Sequence, residues 1–201
     1  MTSTDFFALI SRMKYISRCG LMRTSVPENI QEHSHMVAVV AHALGVIRRD
    51  IYGIACDPEA CAAVALYHDA SEILTGDLPT PIKYNNEEIM DAYHKVEDLA
   101  SRILLSMLPE ALQPTFSDII CGETAKAVYP QVKAADKICA YIKCIEERKA
   151  GNREFLSAEK QIRTVLEASP LPEVKYFMEQ FIPNFEKNLD ELGTLREAED
   201  L

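Results

Sequence analysis

The stretch Ala62–Pro81, A-A-V-A-L-Y-H-D-A-S-E-I-L-T-G-D-L-P-T-P, constrains this chain more than any other. It opens as an apolar helix and then places His68, Asp69, Glu72 and Asp77 within ten residues. Residues three and four apart share a helix face, so Glu72 is expected on the side of both His68 and Asp69. The neighbours His68 and Asp69 diverge by about 100° around the axis, an angle that two ligands of one ion can bridge. Charges enter a core when paired or bound to a metal, and here four polar side chains interrupt a run otherwise fit for a core. A His-Asp dipeptide alone is common. Its company decides what it means.

Upstream stands Glu32-His33-Ser34, followed by an amphipathic run from Met36 to Ile47. Downstream, Val132-Lys133-Ala134-Ala135-Asp136 opens another. The series E-H-S, H-D-A-S-E-x-L-T-G-D and K-A-A-D, in this order and helical placement, resembles the HD-domain metallophosphohydrolases. Within that superfamily the chain is similar to the YfbR-type 5′-deoxynucleotidases. The resemblance includes L-M-R at Leu21–Arg23, T-G-D-L-P-T-P at Thr75–Pro81 and Y-F-M-E-x-F-x-P-x-F at Tyr176–Phe185. It thus runs from near Phe6 to about Leu189.

The composition is ordinary for a soluble globular protein and favours helix. At 201 residues the chain suits one domain. It has few β-branched alternations, seven glycines and no Trp, which favours helix over sheet. A net charge of −10 argues against a nucleic-acid polymer as partner, because phosphate backbones are bound by basic surfaces. Residues 1–25 run the other way, with Arg12, Lys14, Arg18 and Arg23 against Asp5, so a small anion can dock there. Cys19, Cys56, Cys61, Cys121, Cys139 and Cys144 form no C-x-x-C pair, and no secretory signal is seen, which suggests a reducing cytoplasm. The longest apolar run, Met36–Ile47, is well short of the ~20 residues a membrane span needs.

The expected fold is all-α, a single-domain HD-domain helical bundle over residues 1–193, with an acidic, loose tail at 194–201. A first helix is expected from Thr4 to about Ile16, with Phe6, Ile10 and Met13 inward. A loop follows from Arg18 to Glu28, then a helix with Val37, Val40, Leu44 and Ile47 inward. Asp57-Pro58-Glu59 marks a strong helix start. That helix is expected to continue through His68-Asp69 to Gly76. Leu78-Pro79-Thr80-Pro81 reads as a stiff loop. Further helices are expected at about Asn86–Leu108, after Pro109, from Pro130 to Gly151, at Arg153–Glu167, and at Pro172–Leu192 with a kink at Pro183.

The resemblance implies a metal site of His33, His68, Asp69 and Asp136. Two nitrogens and two carboxylates suit one divalent transition metal (Co, Mn, Zn, Ni, Fe or Cu) better than calcium, which favours oxygen. Taken singly, each residue fits a core histidine, a cap or a salt-bridge partner. Asp136 is the sharpest case, since its helix face is expected to be buried and an unpaired buried carboxylate is expensive. His35 and His42 point away from His33, and His94 falls on a solvated face. Only His94 lies between the His-Asp pair and Asp136, which favours one metal over two.

No glycine-rich phosphate cradle is present, and Ser11-Arg12-Met13-Lys14 fits S-x-x-K by chance. The resemblance implies cleavage of a phosphate ester by water, with Arg18 binding the phosphoryl group through its planar fork. Glu72 either handles the attacking water or holds His68. His33 and Asp69 double as substrate contacts, and Asp77, Leu78, Pro79 and Thr80 match positions that hold the nucleoside. Cys19 stands where the family has Trp beside the sugar, a departure that bears on deoxyribose selectivity. The implied reaction is metal-dependent hydrolysis of 2′-deoxynucleoside 5′-monophosphates by a homodimer. The alternatives are a broader nucleotide phosphomonoesterase, a triphosphohydrolase, or a non-catalytic nucleotide-binding sensor.

Overall fold

The computed structural model describes residues 4–79 and 86–193. Thr80, Pro81 and the acidic tail at 194–201 lie outside the described residues. Among the described residues the chain is helical, and the all-α expectation holds. Helix α1 (Phe6–Ile10) tightens into a 3-10 segment, Ser11–Tyr15, rather than running as one α-helix to Ile16. Helix α2 (Ile30–Val46) starts at a capping box, in which the Asn29 side chain accepts from Glu32 N–H and the Glu32 side chain accepts from Asn29 N–H. It ends in a π-helical turn, Ile47–Ile51.

Helix α3 (Pro58–Tyr67) starts where Asp57 and Pro58 indicate, with Asp57 accepting from Ala60 N–H at 2.9 Å. It does not continue to Gly76. The His68 ring, through Nδ1, takes the Ala65 carbonyl at 2.7 Å, the acceptor that the residue 69 N–H would use in a continuing helix. Tight turns follow, with Ala70 N–H donating to Tyr67 C=O and Glu72 N–H to Asp69 C=O. A single turn, α4 (Glu72–Thr75), then stops at Gly76, whose φ of +74° suits glycine. Glu72 therefore does not share one helix with His68, contrary to the sequence expectation.

Helices α5 (Glu87–Ser106) and α6 (Gln113–Ile120) precede the long α7 (Glu123–Lys149). Pro130 was expected to open α7 but lies inside it. The true start is fixed by Asp118, which accepts from both the N–H and the hydroxyl of Thr124. Pro130 then removes only its own bond to the carbonyl four residues earlier. Helix α8 (Leu156–Glu167) follows, then α9 (Pro172–Gln180). The expected kinked helix to Leu192 gives way to separate 3-10 turns, Ile182–Glu186 and Leu189–Glu191.

Two hydrophobic clusters hold these elements. The larger joins α2, α3, α7 and α9 through Val37, Leu44, Val64, Ala135, Ile138, Ile145 and Val174. The smaller gathers Phe6, Ala70, Leu104, Leu105 and Leu108, with Tyr67, Ile73 and Phe116 against them. Val64 and Ala65 thus face one cluster while Tyr67, Ala70 and Ile73 face the other. His68 and Asp69 sit where the chain crosses between them. At the far end of the α2–α3 pair the backbones nearly touch: a Cβ on Gly45 would lie 2.8 Å from Pro58 Cα. Arg48 and Gln131 both donate to the fully buried Glu173 carboxylate, tying the π-turn and α7 to α9.

Candidate metal centre

Three helical segments bring their polar residues to one point. Helix α2 contributes His33, the turn after α3 contributes His68 and Asp69, and α7 contributes Asp136. The ligand atoms of His33, His68 and Asp136 lie within 4.8 Å of one another. His33 Nε2 is 3.1 Å from Asp136 Oδ1 and 3.8 Å from Asp69 Oδ2. His68 Nε2 is 3.2 Å from the same Asp69 oxygen. The structure brings all four residues together, while His35, His42 and His94 are exposed elsewhere.

The protonation pattern fits a cation. Because His68 Nδ1 donates to Ala65 C=O, the neutral ring presents a lone pair at Nε2. That Nε2 is buried with no hydrogen-bond partner, despite its nearness to Asp69. Burial disfavours a charged His68, but the carboxylates of Asp69 and Asp136 outweigh it and lift its pKa to about 9. Burial likewise opposes charge on Asp136, yet His33, His68 and Lys133 hold its carboxyl well below the usual carboxylate range. Asp69 is also held low against its burial, chiefly by His68. Two half-buried carboxylates that draw positive charge onto an imidazole form a site suited to a divalent ion. The donor set of two nitrogens and two carboxylate oxygens suits a transition metal.

The cationic side is supplied by the loop before α2. Arg18 is largely buried, donates to Glu28 Oε2 at 2.7 Å and sits 4.0 Å from Asp136 Oδ1. Lys133 reaches the other Asp136 oxygen at 3.8 Å. Glu28 and Lys133 were not singled out from sequence; only the nearness of Lys133 to Asp136 in K-A-A-D hinted at the second. Glu72 is buried at the start of α4. Cys19 adopts φ +56°, a conformation that side chains other than glycine rarely take. Its N–H donates to Asp77 Oδ2 at 3.0 Å, so one oxygen of Asp77 ties two loops together. Leu78 and Pro79 follow, both half-buried.

The family model for 5′-deoxynucleotidase YfbR-like proteins matches residues 5–185. The chain belongs to this family. A 5′-deoxynucleotidase of Vibrio parahaemolyticus is 49% identical over 194 residues, covering 96% of this chain and all of the relative. Among solved structures, an HD-domain phosphohydrolase from Listeria innocua superposes with a TM-score of 0.76 at 24% identity, over 98% of this chain and 94% of that one. The HD phosphohydrolase DatZ of cyanophage S-2L, solved with dA and one catalytic Zn2+ ion, gives 0.60 at 23% identity, over 90% and 96%. Family membership and the HD-type fold agree with the resemblance read from E-H-S, H-D-A-S-E and K-A-A-D. No helix among the described residues is long and apolar enough to cross a membrane.

Proposed function

We propose that this chain is a metal-dependent 5′-deoxynucleotidase, hydrolysing 2′-deoxynucleoside 5′-monophosphates to deoxynucleoside and phosphate. The observation that carries the reading is the convergence of His33, His68, Asp69 and Asp136 beside Arg18, in a chain similar over nearly its whole length to 5′-deoxynucleotidases. These four side chains hold the metal. A divalent ion there supplies Lewis acidity toward the phosphoryl group and makes water more acidic at neutral pH. Arg18 receives the phosphoryl oxygens, its guanidinium held in line by Glu28. Phosphoryl transfer depends chiefly on such positioning and charge neutralisation. Glu72, buried beside the His68 turn, orients the attacking water or braces His68. His33 and Asp69 also face the substrate, and Cys19, Asp77, Leu78 and Pro79 enclose the nucleoside.

The zinc bound by DatZ supports zinc as one candidate, and cobalt and manganese suit the same donors. The enzyme works in the cytoplasm as a homodimer. Ile89, Val96, Leu99 and Ile103 on α5 are all exposed and fall along one side at near-heptad spacing. Glu87, Glu88 and Asp91 stand at one end of that helix and Arg102 toward the other, so antiparallel pairing of two copies joins opposite charges. The decisive experiment follows phosphate release from deoxy- and ribonucleoside mono- and triphosphates after chelation and resupply of single metals. Turnover of deoxynucleoside 5′-monophosphates that returns with metal is expected; no release from any monophosphate with any of these metals overturns the reading.

A further inference from the structure

Residues 16–29, between α1 and α2, form an Ω-shaped loop whose ends meet. At the neck, Ser17 and Asn29 pair in an antiparallel bridge, and Arg18 N–H donates to Glu28 C=O at 2.9 Å. The tip is held by α7 and the turn after it. Glu147 Oε2 accepts from Ser25 N–H at 2.8 Å, and Lys143 Nζ donates to Val26 C=O at 2.7 Å. Asn152 Nδ2 reaches both Arg23 C=O and Glu147 Oε2 at 2.7 Å. Lys143 and Glu147 are themselves paired at 2.9 Å, with side chains 8% and 1% exposed.

A buried ion pair is a poor device for stability alone, since well-packed apolar residues serve as well or better. This pair does something apolar residues cannot. Together with Asn152 it meets three main-chain groups at the tip of the loop that carries Arg18. Asp136 lies on the same helix, seven residues before Lys143 and eleven before Glu147, roughly 10 and 16 Å along the axis. One rigid rod therefore carries both a proposed metal ligand and the anchor of the Arg18 loop.

We infer that Lys143 and Glu147 are positioning residues, which clamp the loop tip to α7 and thereby set the Arg18 guanidinium against the metal centre. The inference rests on the reading of Arg18 as the phosphoryl-binding group. It is tested with Lys143→Met/Glu147→Leu, which removes both charges at once, in the wild-type and Arg18→Ala backgrounds. The readouts are metal content, melting temperature, kcat and KM for deoxynucleoside monophosphates, and hydrogen exchange at the Ser25 amide.

The double variant is expected to keep its metal, to exchange the Ser25 amide at least about tenfold faster, and to lose about tenfold or more in kcat. In the Arg18→Ala background the same change should alter kcat by less than about twofold, because residues acting through one group are not additive. Glu147→Gln, which keeps the side-chain size, enters the same measurements should the double variant not fold. Unchanged Ser25 exchange, or an equal fall in kcat with and without Arg18, overturns the positioning role. If Arg18→Ala itself leaves kcat intact, the functional reading of Arg18 fails instead, while Ser25 exchange still reports whether the clamp exists.

Discussion

Replacing Arg48 with Met should destabilise this protein by an amount the structure lets one estimate. Glu173 is fully buried, and its carboxylate receives Arg48 Nη1 at 3.0 and 3.3 Å and Gln131 Nε2 at 2.9 Å. At the 3.0 Å contact, Coulomb attraction is about 5 kcal/mol for an effective dielectric constant of about 20. Measured losses on breaking buried pairs run about 3–5 kcal/mol, mostly the cost of the charge left behind. The Arg48 side chain is 23% exposed, so water partly hydrates the orphaned carboxylate and the lower figure applies. About 3 kcal/mol corresponds to a fall in Tm of roughly 6–12 °C in a chain of this size. Urea and thermal denaturation read the effect. Arg48→Met/Glu173→Gln should recover most of that loss, since no charge is left buried and Gln131 Nε2 keeps an acceptor. A loss below about 1 kcal/mol in the single variant, or no recovery in the double, refutes the reasoning.

Asp136→Ala removes one of the four proposed ligands and should abolish bound metal and turnover together; stoichiometric metal with full activity would sink the ligand assignment. Glu72→Ala should keep metal content and lose turnover if Glu72 handles water, and metal analysis that instead shows weakened binding assigns it to bracing His68. Although burial opposes its charge, bonds from Lys143, Asn152 and Ser25 hold the Glu147 pKa down to about 2 from an ordinary 4.5. A lowered pKa means stabilisation present above about pH 4.5 and lost as pH falls toward 2, so acid denaturation of Glu147→Gln should be less steep in that window. Cys19→Trp should raise the ratio of kcat/KM for dAMP over AMP, because a bulky side chain narrows the space for a 2′-hydroxyl; an unchanged ratio removes Cys19 from the sugar pocket.

The convergence of His33, His68 and Asp136 was legible because metal ligation demands few residue types in a tight pattern, and H-D with a flanking His and Asp has little competition. Element types were legible from apolar periodicity, and the α3 start from Asp57-Pro58, whereas the Asn29 cap that starts α2 was not read. What failed was local hydrogen bonding between side chains and helix ends. His68 takes the Ala65 acceptor and ends α3, while Asp118 and Thr124 start α7 ahead of Pro130. Neither depends on a single residue's propensity. The partners of the 16–29 loop tip were invisible for another reason: Lys143 and Glu147 are over a hundred residues away in sequence, and on α7 they read as an ordinary i,i+4 pair.

The contact at Gly45 gives the metal centre a remote geometric control. His33 lies twelve residues before Gly45 on α2, and His68 ten after Pro58, so both lever arms run about 15–18 Å from the same fulcrum. A single added methyl at Gly45 meets Pro58 Cα at 2.8 Å and Cys61 Sγ at 3.3 Å, and wedges the two helices apart at that end. Both helices are stiff, so a displacement at that end is carried along them toward His33 and His68. The spacing of His33 and His68 therefore depends on a position several helical turns away, where one added carbon atom has no room.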